Sequence, residues 1–337
     1  MATAALPPSS SLTFVDDQTP GIIRRKRGKY FAFFRPDGER ITDRDEIDRL
    51  RAIGLPPAYD KCWYCADPNG HLQATGYDAR GRKQYRYHTA FREAQDAGKY
   101  AGCSTFGHAL PALRKRVAAD LKKRAIDRDR AVAAIVRLLD IGMIRVGNDR
   151  YAEENKSFGA TTLRMRHAAI KGDALRLCYR GKSGKMHERR VKDKGLLRFV
   201  RAMQDLPGQR LFQYVDTDGT RHDVTSTDVN AYLRETMGPG VSAKHFRTWG
   251  GSVTAFSTLY HATGKVGLKT MLEQVADALG NTPAISRKSY VHPALLTLAR
   301  DGDQEAWRAA TRLPRATGWL SREERGFMAF LDALPES

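Results

Sequence analysis

The sequence has few cysteines and no long apolar run. Four cysteines among 337 residues, irregularly spaced, are too few for a disulfide framework and fit a reducing compartment. No run of 18 apolar residues occurs, so the sequence excludes a membrane-spanning helix and predicts no membrane partner. Residues 1–20 lack the basic start and apolar core of a signal peptide. We expect a flexible tail there and a cytoplasmic protein.

Acidic residues are scarce beside basic ones. Lys and Arg number 57 and Asp and Glu 38, which gives a formal net charge of +19. A surface with this excess of positive charge attracts polyanions, so duplex DNA is the leading partner. Hydrophobic residues at 41% and charged residues at 28% are ordinary for a globular protein. The length of 337 residues suggests two domains.

Motifs for nucleotides and metals are missing or incomplete. The sequence has no Gly-x-Gly-x-x-Gly, no His-Glu-x-x-His and no acidic calcium loop. Gly181-Lys182-Ser183 resembles the end of a phosphate-binding loop, but Arg176 stands where that motif needs its first glycine. We therefore predict no cofactor and no small-molecule substrate. Arginines and lysines would have to meet the charge of any transferring phosphoryl group.

The pair Cys62-x-x-Cys65 leaves one metal alternative open. It could form half of a zinc site. The remaining ligands would come from Cys103, His71, His88 or His108. No second close pair follows, so we interpret both cysteines as strand residues that face a core or an edge and predict no metal.

The pattern of apolar residues changes near residue 100. Residues 21–100 open with a charged edge and continue as short apolar and aromatic runs broken by Asp-Gly and Asn-Gly turns, which predicts a small β-rich domain. A linker is expected at 99–104. Residues 101–337 show mainly helical spacing, interrupted by alternation at Leu175, Leu177 and Tyr179 that predicts a β-hairpin. The predicted fold class is α+β.

The hairpin region is strongly basic. Residues 161–200 contain 12 Lys or Arg and 3 Asp or Glu. Such a run is often a solvated face, but on a hairpin it also suits a strand laid along phosphates.

Four segments of the second domain carry residues suited to phosphate chemistry. They are 144–148 with Arg145, 179–182 with Lys182, 244–250 with Lys244 and Arg247, and 279–290 with Asn281 and Tyr290. In this order, with Lys-x-x-Arg and an Asn nine residues before a Tyr, they resemble the active site of type IB DNA topoisomerases of the bacterial and poxvirus branch. The resemblance runs from about Gly21 to Leu298. It implies a β-rich clamp domain followed by a helical catalytic domain of the kind shared with tyrosine recombinases.

The resemblance assigns roles to five residues. Tyr290 would attack a backbone phosphate and form a 3′-phosphotyrosyl enzyme with a free 5′-hydroxyl. Arg145 and Arg247 would bind the non-bridging oxygens, and Lys182 would protonate the 5′-oxygen that leaves. Asn281 would donate to a non-bridging oxygen at a position where many relatives carry histidine. Taken singly, each residue also has an ordinary structural explanation, such as packing, a solvated turn or a helix end.

Further residues are assigned to DNA contact. The segment 76–87 looks like the family's DNA-contacting strand, where basic residues alternate with aromatics, and 151–163 looks like a second contacting stretch. The predicted contacts are Arg82, Gln84, Tyr85, Tyr87 and Lys244.

The activity implied by the resemblance is relaxation of supercoiled DNA without ATP or metal, by a monomeric clamp in the bacterial cytoplasm and nucleoid. Two alternatives remain. A tyrosine recombinase shares the catalytic set, but usually shows His-x-x-Arg where this chain has Lys244-His-Phe-Arg247, and lacks this β-rich domain. A non-catalytic basic DNA-binding protein would explain the charge and leave the motif set unexplained.

Overall fold

The computed structural model describes residues 12–28, 30–79, 81–204 and 208–334. The chain divides into two compact units, residues 1–99 and 100–337. The elements of the first unit are β1 (Ile22–Arg27), β2 (Tyr30–Phe34), α1 (Arg44–Ala52), β3 (Asp60–Tyr64), β4 (Leu72–Tyr77) and β5 (Lys83–Tyr87). Helix α2 (Thr89–Asp120) begins in the first unit and continues into the second.

The first unit is built on an antiparallel sheet in the order β2-β1-β3-β4-β5. Its core includes Ile22, Phe33, Leu50 and Tyr64, which are buried on one side of the sheet and under α1. The predicted β-rich character is confirmed. Strand β1, expected as a charged edge, pairs with both β2 and β3. Helix α1 was not predicted, because its nine residues contain only two large apolar side chains and so show little periodicity.

Residues 12–20 differ from the expected flexible tail. Leu12 is buried, Thr13 forms a bridge with Gly70, and the ring of Phe14 stacks on His71 at 4.0 Å. These contacts give the segment apolar burial and backbone pairing, which a polar composition alone does not predict. Residues 1–11 of the predicted tail lie outside the described residues.

The linker expected at 99–104 is part of helix α2. Cys103, Phe106 and Leu110 are all buried at helical spacing, so the apolar stripe of this helix starts well before Pro111. Pro111 lies inside this helix.

The second unit is mainly helical. Its helices are α3 (Arg128–Gly142), α4 (Asp149–Asn155), α5 (Lys194–Gln204), α6 (Ser226–Met237), α7 (Lys244–Tyr260), α8 (Leu268–Leu279), α9 (Pro283–Ser289), α10 (Pro293–Asp301), α11 (Gln304–Ala310) and α12 (Arg322–Asp332). Its strands are β6 (Ala168–Lys171), β7 (Ala174–Arg180), β8 (Met186–Val191), β9 (Gln213–Val215) and β10 (Arg221–Asp223). Short 3-10 turns occupy Ala160–Thr162, Met165–His167 and Lys182–Gly184.

The predicted hairpin is confirmed as β7 and β8, and β6 adds a third strand. Leu175, Leu177 and Tyr179 are buried, as their alternation predicts. A capping box begins α12, with Ser321 and Glu324 each accepting from the other's backbone N–H. None of the helices in the described ranges combines the length and the apolar character that crossing a bilayer requires.

Candidate active site

Arg145 follows the end of helix α3. The helix stops at Met143, which adopts a left-handed conformation with φ 49°, and the buried Ile144 fixes the chain beyond it. The guanidinium donates from Nη1 to the Tyr290 hydroxyl at 2.9 Å and from Nη2 to Asn281 Oδ1 at 3.1 Å. Arg145 therefore joins two predicted site residues that are more than 130 positions away in the sequence.

Arg247 lies in α7 and is only 4% exposed. Its Nη1 donates to the carbonyl of Met143 and its Nη2 to the carbonyl of Leu279, 3.1 Å away. The guanidinium carbon lies 4.8 Å from the centre of the Tyr290 ring, within cation-π range. The two carbonyls therefore fix the charge of Arg247 beside the phenol and tie together the chain ends of α3 and α8.

Tyr290 immediately follows α9. Thr282 caps the start of that helix and Pro283 is its first residue, so the seven-residue helix has a defined beginning. Ser252 Oγ donates to the Tyr290 carbonyl at 3.2 Å. Burial raises the pKa of the phenol, but the charges of Arg247 and Arg145 lower it by more, so the net pKa lies below its ordinary value of 10. The site thus favours the phenolate that a nucleophile needs.

Asn281 lies in the connection between α8 and α9. Gly280 ends α8 in a left-handed conformation with φ 64°. Asn281 Oδ1 accepts from Arg145, and its buried Nδ2 has no hydrogen-bond partner among the described residues. Since buried amide groups are normally satisfied, this N–H group is available for an acceptor that enters the site.

Lys182 lies at the tip of the β7–β8 hairpin, and its side chain is exposed. It lines the same concave surface as Arg145, Arg247, Tyr179 and His187. The structure therefore brings all five predicted catalytic residues into one region. Arg145 contacts Tyr290 and Asn281 directly, whereas Lys182 shares the concavity.

Comparison with known proteins gives two matching family models. The model "Eukaryotic DNA topoisomerase I, catalytic core" matches residues 88–299, which is more than half of the chain. The model "Bacterial DNA topoisomerase IB, N-terminal domain" matches residues 30–78. The chain belongs to the type IB DNA topoisomerases.

Viral type IB topoisomerases are among its relatives. DNA topoisomerase 1B of Acanthamoeba polyphaga mimivirus is 31% identical over 84% of this chain and 89% of its own. DNA topoisomerase 1B of vaccinia virus, strain Copenhagen, is 21% identical over 80% of this chain and 90% of its own. These matches support the bacterial and poxvirus-like branch. A post-cleavage complex of the XerH recombinase matches 55% of this chain and 49% of that chain, at 14% identity and a TM-score of 0.38, which is too slight to argue from.

Two further residues of the concave surface, His187 and Arg189, were not predicted from the sequence. Both lie on β8, opposite Tyr179 and Leu177 on the inner face of the hairpin, and both line the concave surface. Arg189 Nη2 donates to the Ala278 carbonyl at the end of α8, 3.1 Å away. The buried residues of β7 mark the inner face of the hairpin. Because residues paired across two strands share a face, the partners of these residues on β8 could have been recognised as inward-facing.

Of the predicted DNA contacts of the first unit, Gln84, Tyr85 and Tyr87 lie on the edge strand β5 and Arg82 directly precedes it. Tyr85 and Tyr87 are exposed and stack at 6.2 Å, whereas Gln84 alternates to the other face. Arg82 forms an ion pair with Asp78 at 2.7 Å, and Gln84 donates to the same carboxylate at 3.2 Å. The four predicted contacts therefore do not form one surface. Tyr85 and Tyr87 form an exposed aromatic pair.

Lys244, the predicted contact in the second unit, is exposed in the first turn of α7, three residues before Arg247.

Cys62 and Cys65 are buried around β3, in agreement with the interpretation of both as strand residues that face a core. Arg24 Nη2 donates to Cys62 Sγ at 3.2 Å, and burial raises the pKa of each thiol. Among the residues that the structure describes, no three His, Cys, Asp or Glu side chains group as a metal site.

Proposed function

We propose that this chain relaxes supercoiled duplex DNA by transient cleavage and resealing of one strand. In the cleavage step the Tyr290 oxygen forms a bond to a backbone phosphorus and the bond from phosphorus to the 5′-oxygen breaks. The phenol gives its proton to water, and the leaving 5′-oxygen takes a proton from the Lys182 ammonium. The 3′-phosphotyrosyl product keeps the energy of the original diester, so resealing needs no ATP.

The observation that carries this proposal is the environment of the Tyr290 hydroxyl. It accepts a hydrogen bond from Arg145 at 2.9 Å, and Arg247 lies against its ring. A phosphate that approaches Tyr290 for in-line attack must therefore come close to two fixed cations. Rigid guanidinium groups bind paired phosphate oxygens and stabilise the charge that develops in the transition state.

Asn281 and Lys182 complete the proposed chemistry. The free Nδ2 of Asn281 is suited to donate to a non-bridging oxygen, because its Oδ1 already accepts from Arg145. The exposed ammonium of Lys182 can reach a strand laid across the hairpin. Because each role is filled by a side chain of this protein, the proposed steps require no divalent metal.

Relaxation of supercoiled plasmid in EDTA and without ATP tests the proposal. Wild type should relax positive and negative supercoils, and Tyr290→Phe, which loses one hydroxyl, should bind duplex DNA normally and relax neither. Tyr260→Phe is a matched control, because Tyr260 lies at the end of α7 and its hydroxyl donates to the Thr311 carbonyl. Relaxation by Tyr290→Phe would contradict the proposal, and recombination between two duplexes by wild type would favour the recombinase alternative.

We also propose that the protein acts as a monomeric clamp on duplex DNA, in a bacterial cytoplasm and nucleoid. The net charge of +19 and the exposed basic side chains of β7 and β8, Arg176, Arg180 and Arg190, support DNA as the partner. Mass measurement by light scattering should give one chain per short duplex. A stoichiometry of two or more chains per site would contradict the monomer.

A further inference from the structure

Lys182 and Asn281 lie on separate segments whose relative position must be fixed for the chemistry. Three side chains of the β7–β8 hairpin contact the end of α8 and the turn that follows it. Lys185 Nζ donates to the Asn281 carbonyl at 3.3 Å, and Arg189 Nη2 donates to the Ala278 carbonyl at 3.1 Å. Between them lies the ring of His187. These contacts hold the strand that follows Lys182 against the turn that carries Asn281.

His187 fills the space between two glycines. Its ring stacks on Tyr179, with centroids 5.4 Å apart and an interplanar angle of 17°. A Cβ atom added to Gly181 would lie 2.4 Å from the ring, and one added to Gly280 would lie 2.6 Å from it. Gly181 directly precedes Lys182, and Gly280 directly precedes Asn281. The ring is therefore wedged between the backbones of the two functional segments.

Gly181 shows that the contact is specific. Gly280 has a φ of 64°, so its backbone conformation favours glycine whatever the neighbours. Gly181 has a φ of −96°, which any residue can adopt. At position 181, therefore, a side chain is excluded by the His187 ring and not by the backbone conformation.

The environment of His187 keeps the ring neutral. Burial lowers its pKa, and the charges of Arg189, Lys185, Arg247 and Arg145 lower it further, to about 4. A neutral ring adds no charge repulsion to a site that already holds several cations. It can therefore lie between the two glycines beside the guanidinium groups.

We propose that His187 is a positioning residue that sets Lys182 relative to Asn281 and Tyr290 by filling the gap between Gly181 and Gly280. This inference rests on the proposed function, because the step that His187 aligns is the proton transfer from Lys182 to the leaving 5′-oxygen. Loss of the ring leaves the hairpin free to shift and so moves the proton donor away from its target.

The leaving group provides a readout that a general structural defect would not change. Cleavage rates are measured in single turnover on two duplexes, one with the natural 5′-oxygen and one with a bridging 5′-sulfur at the cleavage site. Sulfur leaves as a thiolate and does not need the proton that oxygen needs. Lys182→Ala serves as the reference for a missing donor, and Cys178→Ser, an exposed neighbour on β7, is the matched control.

His187→Ala should cleave the oxygen substrate about 100-fold more slowly than wild type, the cost of misplacing a reacting group by about 1 Å. On the sulfur substrate it should recover to within about threefold of wild type, as Lys182→Ala should, because the proton is no longer needed. Gly181→Ala should show the same pattern while keeping the ring. The double variant should be less defective than the product of the two single effects, because removing the ring relieves the clash.

The possible outcomes distinguish a failure of the proposed function from a failure of the positioning role of His187. A wild-type protein that forms no covalent adduct with either duplex overturns the proposed function. An active wild type with His187→Ala and Gly181→Ala equally slow on both substrates overturns the positioning role and leaves the proposed function intact. Selective rescue by sulfur in either variant supports it.

Discussion

Glu324→Gln tests how helix α12 is held to the helices that carry the site. Glu324 Oε1 accepts from Arg114 Nη2 at 2.6 Å and from Trp249 Nε1 at 3.2 Å. Its Oε2 accepts from Arg114 Nη1 and from the Ser321 backbone N–H, both at 2.9 Å. Arg114 also binds Asp140 on α3. The carboxylate thus connects α12 to α2 and to α7, where Trp249 lies two residues after Arg247.

The expected loss of stability follows from the number of hydrogen-bond acceptors that glutamine retains. Glutamine keeps one oxygen and places an amino group against two of the four donors, so two charge-assisted hydrogen bonds are lost, at about 1.5–3 kcal/mol each. Breaking a buried ion pair costs about 3–5 kcal/mol, but Arg114 keeps Asp140 as a counter-charge, so we take the lower end. The expected loss in the free energy of unfolding is about 3 kcal/mol.

The effect should depend on pH with a definite sign. Burial raises the pKa of Glu324, but its bonds to Arg114 lower it by more, so the folded pKa lies below 4.5. A group with a depressed folded pKa stabilises the protein above its unfolded pKa and loses that contribution as the pH falls through the folded value. The difference in the free energy of unfolding between wild type and Glu324→Gln should be largest above about pH 5 and should shrink in more acidic solution.

Urea unfolding at several pH values measures both the loss in the free energy of unfolding and its dependence on pH. Glu323→Gln is the matched control, because the Glu323 side chain is 32% exposed and its ion pair, 3.4 Å long, is with His261 and not with a buried arginine. That change should cost less than about 0.5 kcal/mol. A Glu324→Gln protein as stable as Glu323→Gln, or a difference that grows toward acid, would refute the reasoning.

Three further predictions concern the site. Arg145→Ala should slow covalent adduct formation roughly 100- to 1,000-fold in rapid-quench assays, and an equal loss of duplex affinity would argue for a binding role instead. Because Arg247 and Arg145 hold the pKa of Tyr290 below 10, the cleavage rate should level off below pH 10, and its midpoint should rise in Arg145→Ala; an unchanged midpoint would contradict this. Lys244→Ala should reduce the slope of log affinity against log salt by about 0.9 if Lys244 contacts one phosphate, and an unchanged slope would remove it from the interface.

Much of the architecture is predictable because the apolar patterns are strong. The alternation at Leu175, Leu177 and Tyr179 identifies the hairpin, as the structure confirms. Helix α1, the packed residues 12–20 and the continuity of α2 were not predicted. Residues 12–20 are ordered by contacts with Gly70 and His71, which local periodicity does not record, and α1 has too few apolar residues to show a period.

The candidate site, too, was predictable only in part from the sequence. The family pattern identified the side chains, and the structure brings Arg145, Asn281 and Tyr290 within hydrogen-bond distance across more than 130 residues. The pattern did not identify His187, whose importance lies in the space it fills between two glycines. A single sequence shows which groups can do the chemistry and leaves out the packing that aligns them.

The most direct test of the central claim is to locate the covalent bond to DNA. The adduct formed on a cleaved duplex is digested with protease and nuclease, and the modified peptide is sequenced by mass spectrometry. We predict one nucleotide linked through its 3′-phosphate to Tyr290, with a free 5′-hydroxyl on the released strand. A nucleotide on any other residue, or a linkage through a 5′-phosphate, would contradict the account.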